Sequence, residues 1–228
     1  MNSFPNRGNF LPNSFSVNRA IVAGLSPAAW YQFGVGITSA GGLVSAWADQ
    51  SGKGRNLVQA VGSNQPTLDT DNSILFDGVD NFLAVNFTLN QPETVYALVK
   101  QVTWTSADRI LDGQTNIGGT LTQSGASPIF FPFAGSSAGN NGNLAVGAFG
   151  AIAIVFNGAS SLSQVGTTTP VTGNAGANNM GGLTLGAAGG GIASWGNVAF
   201  KEVIVYPTAH DAATRARVIC YLSQVGQL

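Results

Sequence analysis

Short apolar runs separated by Gly-containing turns, with no helical period until the chain's end, constrain this sequence most. Residues 94–100 read T-V-Y-A-L-V-K, residues 151–156 A-I-A-I-V-F and residues 202–206 E-V-I-V-Y. Each has the length and β-branched content of a strand covered on both faces. Between Asn81 and Leu89 the pattern alternates, with Leu83, Val85, Phe87 and Leu89 on one face and Ala84, Asn86 and Thr88 on the other; that is the period of a half-buried strand. Residues 182–186, G-L-T-L-G, add another strand candidate. Asp77-Gly78, Asp112-Gly113, Asn141-Gly142 and Asn157-Gly158 are dipeptides that tolerate the positive φ of tight turns. Many short strands without intervening helices predict an all-β sandwich or barrel, and 228 residues suit one such domain.

The two ends differ from this body. Residues 1–24 are rich in Asn, Ser and Pro, with Phe4, Phe10 and Phe15 set between polar residues and no helix or strand period. They read as an N-terminal arm, either loose or laid on a neighbouring subunit with its Phe rings buried there. Residues 25–228 read as the sandwich. Within them, about 209–225 form one helix, with Thr208 as its cap, Asp211 in the first turn, and Ala212, Arg215, Ile219, Leu222 and Val225 at helical spacing.

Only 8% of residues are charged, against about 25% in a typical soluble protein. Either small polar residues cover the surface or neighbours in an assembly do. Three Lys and six Arg, scattered along a chain of net charge −1, supply neither a nucleic-acid footprint nor a polybasic membrane patch. The most apolar stretch, Gly147 to Phe156, is too short to span a bilayer as a helix. A single cysteine, Cys220, leaves no intramolecular disulfide, and the first residues lack the charged-then-apolar pattern of a secretory signal. Both fit synthesis in a reducing cytoplasm.

Three segments together resemble laminin-G-like domains of the concanavalin A-like lectin and glucanase superfamily: W-A-D-Q-S-G-K-G-R-N-L from Trp47, L-F-D-G-V-D-N-F-L from Leu75, and E-V-I-V-Y from Glu202 with the helix behind it. The resemblance covers about residues 28–225. It implies a jelly-roll sandwich of two antiparallel sheets with one C-terminal helix. Phage-particle proteins also carry this kind of sandwich, so the resemblance implies a non-catalytic structural protein of a tailed-phage virion: a capsid decoration, head-fibre or tail-associated protein. It would be made in the host cytoplasm and assembled as a homo-oligomer, with a trimer expected, beside other virion proteins. The alternative is a carbohydrate-binding adhesion module that meets a host glycan; the third reading is an unusual glycosidase.

Glucanases of the superfamily pair Glu residues on one strand. Here the only glutamates, Glu93 and Glu202, have no acid at alternating spacing, so no catalytic residue is expected. Asp108 and Asp112 flank Arg109-Ile110-Leu111 and read as strand boundaries. Asp49, Asp77 and Asp80 belong to an acidic stretch that would suit Ca²⁺, as some laminin-G-like modules bind it, although turn-forming Asp explains them too; no other cofactor is expected. Trp104 and Trp195, with small and polar neighbours, are the candidates for stacking on sugar, whereas Trp30 and Trp47 sit in core settings. His210, the only histidine, lies beside Asp211 with no sign of a triad.

Overall fold

The computed structural model describes residues 14–115 and 118–228. Its strands are β1 (Ala29–Tyr31), β2 (Ile37–Ala40), β3 (Leu43–Trp47), β4 (Leu57–Val58), β5 (Thr67–Leu68), β6 (Ile74–Asp77), β7 (Leu83–Asn86), β8 (Glu93–Gln101), β9 (Arg109–Asp112), β10 (Thr120–Gln123), β11 (Phe130–Phe133), β12 (Phe149–Phe156), β13 (Ser161–Val165), β14 (Val171–Gly173), β15 (Gly182–Leu185) and β16 (Asn197–Tyr206), flanked by helices α1 (Ser14–Gly24) and α2 (Ala212–Gly226). All pairings between these strands are antiparallel. They form one ladder, β11-β10-β9-β15-β7-β4-β3-β5-β6-β16-β8-β12-β13-β14, with β1 added to β16 and β2 to β3.

The ladder folds over at its short strands β4 and β5, so its two ends become the two layers of a jelly-roll sandwich. The main core lies between them. Leu83, Leu111, Leu121, Phe130, Leu183 and Leu185 come from one layer and Val95, Ala97, Val99, Ile152, Ile154, Val203 and Val205 from the other, all fully buried. Alternation along each strand decides which side chains meet there. The same strands send Trp30, Tyr96, Leu98, Ile204 and Tyr206 to the opposite face, where Val22 of α1 and Val218, Ile219, Tyr221 and Leu222 of α2 cover them. Apolar runs covered on both faces are therefore explained: β8, β12 and β16 form a middle layer, with the other sheet beneath and helices above.

Strand β16 pairs with β1, β6 and β8. Its register against β8 shifts after Phe200: Phe200 opposes Val99, and Glu202 opposes Leu98. Lys201 is the extra residue of this bulge. Before it, Val198 and Phe200 face the main core; after it, Val203 and Val205 do. Without the bulge, the phase of the strand would carry the Glu202 carboxyl toward the apolar core.

The expected fold class stands. Two details at the ends differ. The second half of the segment expected to be irregular is α1, although its sequence S-F-S-V-N-R-A-I-V-A-G is a weak helix former. Packing supplies what propensity lacks: Val22 is fully buried and Leu25 packs beside it, and the Tyr206 hydroxyl donates to the Val22 carbonyl at 3.0 Å. At α2 the cap is Asp211, whose carboxylate accepts from Thr214 N at 2.8 Å, in place of Thr208. The Thr208 carbonyl is instead held by the Thr94 hydroxyl at 2.7 Å.

Candidate functional site

The outer face of the β9–β10–β11 layer carries a lateral row of four side chains. Phe131 of β11 opposes Thr122 of β10, Thr122 opposes Arg109 of β9, and Arg109 bridges to Trp195 in the segment leading into β16. Residues opposed across a sheet project from the same face. Phe133, two residues beyond Phe131, projects from that face as well. A bulge makes the row possible: the β9–β10 register shifts between Leu121 and Thr122, so Ile110 and Leu111 are both fully buried while Arg109 stays outside beside Thr122.

Arg109, Thr122, Phe131 and Phe133 line a cavity of about 190 Å³. The Arg109 guanidinium donates through Nη1 to the Thr122 hydroxyl. Its Nε–H and the Trp195 indole N–H are buried with no acceptor among the described residues. An unmade hydrogen bond of this kind costs about 1–3 kcal/mol, and two sit side by side in one row. Ser194, next to Trp195, has φ 52°, a conformation that strains a non-glycine residue and recurs at binding sites. Burial lowers the pKa of Arg109, with the charges of Asp112 and Asp108 acting the other way. Burial raises the Asp108 carboxyl, against a hydrogen bond from Thr105 and the charge of Arg109. Asp112 is fully buried and accepts from Thr120 Oγ1, Gly113 N and Gly189 N.

Of the two tryptophans expected to stack on sugar, Trp195 ends the row through its bridge to Arg109, and neither it nor Trp104 lines the cavity. Trp104 is half-buried, with its indole N–H donating to the Ile129 carbonyl at 2.9 Å. The other two, Trp30 and Trp47, are buried as expected. Phe4 and Phe10 lie outside the described residues; Phe15 falls within α1. Asp49, Asp77 and Asp80 are not brought together, and among the described residues no three His, Cys, Asp or Glu side chains cluster as a metal site. Asp49 accepts from Trp30 N, Ser51 N, Ser51 Oγ and Arg55 N. Burial pushes its carboxyl up, but these bonds outweigh burial and hold it below the usual range. Asp77 closes its turn onto Val79 N at 2.9 Å, with Gly78 at φ 77°, and Asp80 accepts from Asn81 Nδ2. They serve as turn residues.

Neither glutamate reaches this face. Glu93 is fully buried, neither of its oxygens has a partner among the described residues, and burial pushes its carboxyl up to about 8. Glu202 accepts from the Trp30 indole at 2.6 Å, the Tyr221 hydroxyl at 2.8 Å and Phe33 N at 3.3 Å. His210 is paired through Nδ1 with the Tyr96 hydroxyl at 2.9 Å, away from any nucleophile–acid pair.

Comparison with solved structures fits this architecture. Trypanosoma rangeli sialidase is 13% identical, with 93% of this chain and 38% of that one covered, at a TM-score of 0.63. A mutant of that sialidase displaying trans-sialidase activity gives 0.65 at 12% identity. An arabinofuranosidase complexed with arabinofuranosyl-alpha-1,2-xylobiose gives 0.59 at 17% identity, covering 81% of this chain and 51% of that one. The likeness is one of fold. The chain spans about two fifths of the sialidases' length and half of the arabinofuranosidase's. No family model and no curated protein matches. The expectation of a non-catalytic chain is corrected by this finding: the solved proteins named here are glycosidases, so a missing pair of glutamates on one strand does not set the fold apart from glycoside chemistry.

Proposed function

We propose that this sandwich handles carbohydrate on the outer face of β9–β10–β11, with one sugar ring seated between Phe131, Phe133 and Trp195 and hydrogen-bonded by Arg109. The carrying observation is the row itself: Phe131 and Trp195 stand at its ends with Thr122 and Arg109 between them, and among the described residues Arg109 Nε and Trp195 Nε1, both buried, have no acceptor. A sugar offers what such a face lacks. Its C–H face packs on aromatic rings, and its hydroxyl oxygens accept hydrogen bonds. That the fold neighbours are glycosidases supports the reading. So does the laminin-G-like resemblance; on a phage particle the same face would serve adhesion to host glycans. The test is a glycan array followed by calorimetry on the best ligand. Trp195→Ala and Arg109→Ala should each weaken binding by about tenfold or more, one lost contact of ~1.4 kcal/mol. Unchanged affinity in both variants would remove the site.

A second reading is glycoside cleavage on this face. It is favoured by Asp108, a half-buried carboxyl preceding Arg109 in the chain, whose pKa burial raises against the Thr105 hydrogen bond and the Arg109 charge, as suits a proton donor to a leaving oxygen. Release of reducing ends by the wild type, abolished in Asp108→Asn, is the expected signature; release that persists in Asp108→Asn rules that residue out.

A further inference from the structure

Strand β2 is an open edge of the sheet. Among the described residues it pairs with β3 alone, and Thr38, Ser39 and Ala40 are exposed. The register sets Ile37 against Trp47, Thr38 against Ala46, Ser39 against Val44 and Ala40 against Leu43. Ser45 of β3 is thus the unopposed residue, and β2 itself stays regular. Peptide groups alternate sides along a strand. The Gly36 carbonyl accepts from Ala48 N at 2.8 Å and the Thr38 carbonyl from the Ser45 hydroxyl at 3.3 Å, both on the β3 side. The N–H and C=O of Ile37 and Ser39 therefore point to the free side. Exposed edges are ordinarily guarded by a charge, a proline or a bulge in the edge strand. Strand β2 has none of these: residues 33–48 contain no charged side chain and no proline. Gly41 and Gly42, at φ 59° and 84°, close the two-residue turn to β3 and hold the edge extended.

We infer that β2 pairs antiparallel with β2 of a second copy of this chain, across a two-fold axis at Thr38. An antiparallel edge is complementary to itself. With Thr38 opposite its own mate, Ile37 of each copy stands opposite Ser39 of the other, and the two exchange N–H and C=O in both directions. Both outward-facing residues of the edge then have partners. The axis also selects the occupant. Residues near a two-fold face their own kind, so a charge there would meet its like. Here Thr38 meets Thr38, a cross-strand pair that hydrogen-bonds through its hydroxyls. Thr38, Ala46, Val58 and Ala84 oppose one another in succession across β2, β3, β4 and β7, and the joint carries this uncharged row on through the second chain. A four-residue edge makes a contact well below the ~800 Å² per partner of a standard interface, so the pair is reversible. An edge that pairs with itself closes at two copies, which puts a dimer in place of the expected trimer.

Sedimentation velocity of the full chain from about 1 to about 200 μM should show its mass rising toward twice the monomer's, as a small reversible contact gives. Ser39→Pro removes an outward donor that β3 does not use, a change edge strands accept, and should stay monomeric throughout. Thr38→Lys and Thr38→Glu each place like charges on the axis. Either one alone should be monomeric, and an equimolar mixture of the two should regain the dimer. The mixture decides the matter if Ser39→Pro unfolds, which far-UV circular dichroism reports. A wild-type chain that is monomeric at every concentration overturns the inference, as does a trimer. So does a dimer that persists in any folded one of these variants alone, because it would place the contact elsewhere.

Discussion

The Trp30 indole donates to Glu202 Oε1 at 2.6 Å, across 172 residues of sequence. The same oxygen takes the Tyr221 hydroxyl, so one carboxylate ties β1, β16 and α2 together beneath the helical layer. Burial raises its pKa, while the bonds from Trp30, Tyr221 and Phe33 act the other way.

Replacing Glu202 by Ala should cost about 2–4 kcal/mol, because two buried donors lose their acceptor. Glu202→Gln keeps an acceptor oxygen and should cost less than half as much. Urea unfolding of the two variants checks the order; equal losses would show that packing alone is at stake.

Glu93 makes a distinct pH prediction. Its folded pKa of about 8 lies above its ordinary value of 4.5, so the fold favours the neutral acid. The stability this contributes is fully present below about pH 4.5 and is lost as pH rises toward 8. Within that window the slope approaches ~1.4 kcal/mol per pH unit for one proton. Glu93→Gln should flatten the curve and stabilise the chain most near pH 8. A variant that tracks the wild type at every pH would refute this account.

Asp49→Ala should lower the melting temperature by roughly 3–9 °C, for a loss of about 1–3 kcal/mol in a domain of this length. Added Ca²⁺ should not restore it, since the carboxylate's work is to hold three donors of its own loop and Trp30 N of β1. Recovery by Ca²⁺ would return Asp49 to the role of a metal ligand.

The two exposed-looking tryptophans should separate by assay. Trp195→Ala should reduce glycan affinity about tenfold. Trp104→Ala should cost about 1–3 kcal/mol, because it empties a half-buried position and removes one of the two hydrogen bonds to the Ile129 carbonyl, while binding stays intact. Loss of binding in Trp104→Ala alone would move the site.

What the sequence made legible was local. Leu83, Val85, Phe87 and Leu89 do share one face toward the main core, because alternation within a strand needs no knowledge of its partner. The turn at Asp77-Gly78 and the helix stripe at Arg215, Ile219 and Leu222 are legible for the same reason. The row at Arg109 was not. Phe131, Thr122, Arg109 and Trp195 become neighbours only through the register of three pairings and a bulge. The one local hint was F-F-P-F at residues 130–133, where Phe131 and Phe133 must face away from Phe130. Helix α1 was hidden because tertiary contacts, with Val22 foremost, stabilise a sequence of weak helical preference.

The placement of β16 has a consequence for biogenesis. The last strand of the sandwich sits at its middle, bonded to β1, β6 and β8. A ribosome-bound chain that has emerged only as far as residue 196 holds fifteen strands and a vacant central slot, with three unpaired backbone edges facing it. Such a chain can pre-form hairpins but cannot close, and its open edges are templates for wrong pairing. Closure of the sheet is therefore one long-range event that waits for β16, which predisposes this domain to fold slowly.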